Sequence, residues 1–103
     1  MTFILATSDE ILQTLGERLR IQRLAQGLSQ QELAARAGLS LGAVRQLERS
    51  GQSSLETLVR VVQALGLANE VDELFVLERR SIAQMVQSET AGHRQRAPRQ
   101  KAL

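Results

Sequence analysis

Five positions in this chain have residue types and a spacing that serve a purpose together: Gln30, Ala34, Gly38, Val44 and Leu47. They fit two short helices crossing at a turn. Ala34 is small where the helices approach. Gly38 supplies the left-handed turn conformation, which costs a side chain dearly. Val44 and Leu47 anchor the second helix by one face. The residues left on its other faces are Leu41, Gly42, Ala43, Arg45, Gln46 and Arg49. Their chemistry is recognition, not reaction, because they offer guanidinium and carboxamide donors and no nucleophile or base. A single projecting helix of this kind fits the major groove of duplex DNA.

Composition excludes most other chemistry. The 103 residues contain no Cys and one His, His93. Disulfides, thiol catalysis and Cys-built zinc sites are therefore excluded, and a metal site is not expected. No cofactor is expected either. There is no phosphate-binding glycine loop and no nucleophile elbow, so an enzyme is not expected. Aromatic residues are 2% of the chain, too few for the stacking platforms of single-strand binders. Hydrophobic residues at 43% allow one small core, built from aliphatic side chains. Neither a signal peptide nor an apolar run long enough for a membrane span is apparent, so a cytoplasmic, nucleoid-associated protein with no membrane partner is expected.

The elements that must position the projecting face are legible from their ends. The first proline is Pro98, which favours helices throughout. Thr7 with Glu10 has capping-box spacing and opens a first helix carrying Ile11, Leu12, Leu15 and Leu19, closed at Gly27. Ser29 with Glu32 opens a second helix, with Leu33, Ala34 and Ala37 inward and Gly38 at its end. Leu39 plugs the turn, and Ser40 caps the third helix. A loop from Ser50 to Ser53 follows. Ser53 or Ser54 caps a fourth helix that buries Leu58, Val61, Val62 and Leu65, with Ser53 and Glu56 at capping-box spacing. A fifth helix over about Glu70 to Glu78 places Val71, Leu74, Phe75 and Leu77 in the core, while its acidic, partly apolar character also suits a dimer or partner surface away from DNA. The expected architecture is all-α, with residues 1–7 an N-terminal arm, 8–80 the five-helix domain and 81–103 an extension ending in a basic tail. The segment Thr2 to Ala6 is β-prone and reads equally as a frayed end or as a short strand pairing with a second copy.

Charge is unevenly distributed. Residues 15–54 hold six Arg against three Glu, residues 55–89 three Arg against six acids, and residues 90–103 four cations and no acid. A basic first half and a basic tail point to a polyanionic partner. All the cations but Lys101 are Arg, which favours bidentate phosphate and guanine contacts, although GC-rich coding would produce the same bias.

The stretch Leu28 to Ser40, then Val44-Arg45-Gln46-Leu47-Glu48, then Ser54 to Leu58 and Ala64-Leu65-Gly66 resembles the XRE family of helix-turn-helix regulators, the phage Cro/cI repressor-like proteins. The resemblance covers about residues 14–67 and implies a lambda-repressor-like fold with its helix-turn-helix at 30–49. It implies base-facing positions at Leu41, Gly42, Ala43, Arg45 and Gln46. It implies backbone contacts at Gln30, Arg49 and the Ser50 to Ser53 loop, with Ser40 a cap first and a phosphate contact second. It also implies a structural salt bridge between Arg23 and Glu48. The chain departs from the pattern at Leu41 and Gly42, where hydrogen-bonding side chains are common. Direct readout then falls on Arg45, suited to guanine, and Gln46, suited to adenine.

The function implied is sequence-specific double-stranded DNA binding by a transcriptional regulator. A repressor acting as a homodimer on a pseudo-palindromic operator is expected, since one module has a small interface and two half-sites about 34–36 Å apart enlarge it. Two other readings stand beside it. One is an antitoxin that autoregulates its operon and holds a toxin protein, because proteins similar to this one pair with toxins that include HipA-type kinases. The other is an interaction module that has lost DNA binding. The tail residues Arg94, Arg96, Arg99 and Lys101 read as a solvated tail, or as a DNA or partner contact.

Overall fold

The computed structural model describes residues 2–77. Four α-helices are present among them: α1 (Ser8–Ala25), α2 (Gln30–Ala37), α3 (Leu41–Ser50) and α4 (Leu55–Ala64), followed by a 3-10 turn at Ala68–Val71. No strand occurs among the described residues. The all-α expectation therefore holds.

Each helix begins where local chemistry dictates. Thr7 and Ser29 both form full capping boxes, with Glu10 and Glu32 as the reciprocal partners. These satisfy amide donors that no helical carbonyl can reach. Ser40 accepts from the Ala43 amide, 3.1 Å away. α4 is capped by Ser54, which accepts from Thr57. This decides against Ser53 as the cap: its hydroxyl donates to the Ser54 carbonyl, and Glu56 pairs with Arg60 instead.

The chain divides into two compact units, residues 1–72 and 73–103. The core of the first is aliphatic. Leu33, Val44 and Val61 are its most deeply buried side chains, with Leu19, Leu28, Ala34, Leu47, Val62 and Leu65 around them. Leu39, Leu58, Leu67 and Val71 pack on its margin. α1 packs most extensively on α3, while α2 packs on both α3 and α4.

Glycine makes the α1–α3 contact possible. A Cβ on Gly16 would strike the Leu47 carbonyl oxygen, and one on Gly51 would strike the backbone of Leu12. Gly51 also takes φ 77°, where other residues are strained. The two helices therefore meet backbone to backbone.

Two expectations are corrected. The fifth helix does not form over residues 70–77: Ala68–Val71 is a 3-10 turn and residues 72–75 are a further turn. Phe75 is not core; it is 97% exposed at φ 61°. Leu74 and Leu77 are also exposed, so of the four apolar residues assigned to that helix Val71 alone joins the core margin. An isolated helix of nine residues is marginal in water without tertiary packing, and the sequence pattern carried no proof of such packing. In the single chain, Phe3 to Ala6 form a turn closed by the Ala6 amide donating to the Phe3 carbonyl. Ile4 and Leu5 are exposed, and Phe3 lies beneath the Arg18 guanidinium at 5.2 Å. The tail residues Arg94, Arg96, Arg99 and Lys101 lie outside the described residues.

Candidate nucleic-acid interface

The turn between α2 and α3 fixes the projecting helix. Gly38 ends α2 at φ 69°, and the Leu39 amide donates back to the Ala34 carbonyl at 2.9 Å. This closure leaves Leu39 half-buried against the core and starts α3 two residues later. Ala34 is buried in the core at this position.

α3 has two chemically different faces. Val44 and Leu47 are 0% and 2% exposed, and Glu48 beside them is also buried. Gly42, Arg45, Gln46 and Arg49 are exposed, while Leu41 and Ala43 are half-buried. Arg45 and Arg49 take part in no ion pair or hydrogen bond among the described residues. Their guanidinium donors are committed to nothing within the described unit. Leu41, half-covered at the first turn, offers an apolar surface at the start of this face.

Behind α3 lies the salt bridge expected from the resemblance. Arg23 Nε is 2.7 Å from Glu48 Oε2, and Nη2 is 3.0 Å from Oε1. The side chains are 8% and 3% exposed, so the pair is desolvated and bidentate. Arg23 also donates to the Leu28 carbonyl at 2.7 Å. The hydrogen bond to Glu48 raises the Arg23 pKa, against the opposing effect of burial. The pair joins α1, the α1–α2 turn and α3 in one network.

Gln30 belongs to the same network, which the sequence reading missed. Its Nε2 donates to Glu48 Oε1 at 3.0 Å. The side chain at the start of α2 is thus half-buried and oriented by the salt bridge. One amide hydrogen and the carbonyl oxygen remain for an outside ligand. The adjacent α2 N-terminus is closed by Ser29 and Glu32, whose carboxyl pKa is held down by the Ser29 amide and then by the Ser29 hydroxyl and the nearby Arg36.

The loop after α3 is internally bonded. Ser50 donates to the Gln46 carbonyl at 3.0 Å and accepts from the Gln52 amide at 3.3 Å. Ser53 donates to the Ser54 carbonyl. Ser40, Ser50 and Ser53 therefore flank the exposed face of α3 with hydroxyls already engaged as caps or turn stabilisers. Gly16 and Gly51, which seat α3 on α1, carry no signal in a local sequence pattern. Only the close helix packing reveals them.

The described residues hold no group of three or more His, Cys, Asp or Glu that could ligate a metal. Among them, no helix is long and apolar enough to cross a membrane.

A two-helix unit with a buried anchor face, a glycine turn and an exposed cationic helix face defines a helix-turn-helix DNA-binding class. Comparison with known families agrees: residues 19–68 match the family model described as Helix-turn-helix. Residues 19–68 thus carry a helix-turn-helix domain, and the match supports an XRE-family (Cro/cI-like), DNA-binding transcriptional regulator with double-stranded DNA as its partner. No curated protein matches the chain.

Proposed function

We propose that this regulator is a repressor that occupies a pseudo-palindromic operator as a homodimer, with α3 in the major groove of each half-site. The observation that carries this reading is the pair of faces on α3, one locked into the core and one presenting uncommitted Arg45 and Gln46. Arg45 reads guanine and Gln46 reads adenine. Leu41 and Ala43 make apolar contact with thymine methyls, and Gly42 admits the DNA edge to the backbone. Gln30, Arg49 and the backbone of the Ser50 to Ser53 loop hold phosphates, with Ser40 contributing after its capping role. Direct readout by two polar side chains leaves more of the specificity to DNA shape. Action is by occupancy, without catalysis, in the compartment that holds the DNA.

A second reading, an antitoxin holding a toxin protein, is supported by the run Leu74 to Leu77, in which every side chain is more than half exposed. Such a run fits a segment that a protein partner covers.

The test is selection from a random duplex pool with the full chain, followed by sequencing. An enriched inverted repeat is expected. A single enriched half-site would contradict the dimer, and no enrichment at all would favour the partner-dependent reading.

A further inference from the structure

α4 turns Val61 and Val62 into the core and leaves another face uncovered. On that face Leu55 is 75% exposed and Val59 is 42% exposed. They are four residues apart, so they form one ridge. Glu56 and Arg60 run along one side of the ridge. Arg60 Nη2 is 2.8 Å from Glu56 Oε2, with side chains 46% and 73% exposed, so water screens the pair and it adds little to folding. The same residues, with Arg36 and Ala37 of α2, line an open groove.

The pattern matches itself. A two-fold axis brings a patch against its own copy, so a stable two-fold contact needs an apolar centre and both signs of charge on one edge. If two α4 helices run antiparallel across such an axis at Val59, the Val59 side chains meet at the centre. Glu56 of each chain then falls within a helical turn of Arg60 of the second copy. A polyanion would be drawn to Arg36 and Arg60 but opposed by Glu56, and an acidic peptide likewise. A second copy satisfies both charges. The four-residue loop from Gly51 to Ser54 leads from the exposed α3 helix straight into Leu55, so this contact sets two α3 helices about one axis.

We infer that the α4 face formed by Leu55, Glu56, Val59 and Arg60 is the two-fold interface that joins two copies of this chain. The inference rests on the homodimer reading and names its surface.

The experiment uses charge reversal in the full chain. Glu56→Arg makes both charged positions on this edge of α4 basic, and Arg60→Glu makes both acidic, with Arg36 of α2 unchanged in each. Sedimentation at micromolar concentration is expected to show a wild-type dimer and, for each variant alone, a dimer Kd raised about tenfold or more by like-charge contact. An equimolar mixture, with the two variants distinguished by mass tags, is expected to recover dimers containing one of each. Thermal melting followed by circular dichroism checks that each variant is folded. Leu55→Gln, at a strongly exposed position, is the second variant and is expected to weaken the dimer with its melting transition intact. If the wild type is dimeric and all three folded variants stay equally dimeric, the interface lies elsewhere and the DNA reading stands. If the wild type is monomeric with and without its selected duplex, both this interface and the homodimer fail.

Discussion

The two faces of α3 follow opposite rules although they share ten residues. The inner face is over-determined. Val44 and Leu47 are sealed in the core, Glu48 is held by three donors from two other segments, and the backbone is pressed against Gly16 of α1. The outer face is under-determined. Gly42, Arg45, Gln46 and Arg49 are exposed, and their side chains make no hydrogen bond within the described residues. The difference shows how a small regulator separates its tasks. Stability sits on the inner face, where substitution disturbs the core, and on the proposed reading specificity sits on the outer face, where the side chains of Arg45, Gln46 and Arg49 are bound to nothing else among the described residues. A rigid inner face also spares the protein the ordering cost of presenting the outer one.

The largest effect expected from breaking this contrast is on the inner face. Glu48→Ala leaves Arg23 buried without its counter-charge and frees the Gln30 amide. Loss of one partner from such a pair costs about 3–5 kcal/mol, most of the stability of a small domain. Urea denaturation is expected to show a much lower midpoint. Gly16→Ala is next. The added methyl meets the Leu47 and Glu48 carbonyls, so α1 and α3 must separate, at a cost of about 1–3 kcal/mol in the same assay.

The outer face should behave in the reverse sense. A Cβ at Gly42 has no neighbour nearer than the Ser40 hydroxyl at 4.0 Å. Gly42→Ala is therefore expected to raise stability, by up to about 1 kcal/mol. On the proposed reading the same methyl enters space that the DNA edge occupies, so affinity for the selected operator should fall as the melting temperature rises.

The smallest effect concerns pH. The capping box holds the Glu32 carboxyl below its ordinary value of 4.5. A lowered folded-state pKa means that the contribution is present above the unfolded value and lost as pH falls through the folded one. Stability should therefore decline below about pH 4.5 in part through this group. Glu32→Gln should flatten that part of the profile while other carboxylates still titrate. An unchanged slope in melting temperature against pH would count against the cap.

Legibility followed the range of the interactions. Thr7, Ser29, Ser40 and Gly38 act within four residues of themselves, and their roles could be read directly from the sequence. The buried partners Val44 and Leu47 followed from helical period. The Arg23–Glu48 pair, 25 residues apart, was reachable through the family resemblance and not through local pattern. Gln30 was assigned an outward role, and its bond to Glu48 had no local trace. Local spacing offered Ser53 a capping-box partner in Glu56, yet Ser54 is the cap and Glu56 pairs with Arg60, a choice that the local pattern does not show. The fifth helix failed for a related reason. Val71, Leu74, Phe75 and Leu77 have a helix-compatible spacing, yet a short helix forms only against a surface that receives it. The roles of the outer-face residues stay proposals, since base contacts depend on a partner whose sequence the chain does not contain.

The two faces of α3 are separated most sharply by comparing wild type with Arg45→Ala/Gln46→Ala in two assays on the same samples. One is thermal melting, and the other is binding to the selected duplex and to a scrambled one across a salt series. An unchanged melting temperature is expected, with loss of preference for the selected duplex, each contact being worth about 1–3 kcal/mol of discrimination. The salt-dependent binding to both duplexes should remain. A lowered melting temperature, or a preference that survives the double substitution, would contradict the division of α3 into a face that holds and a face that reads.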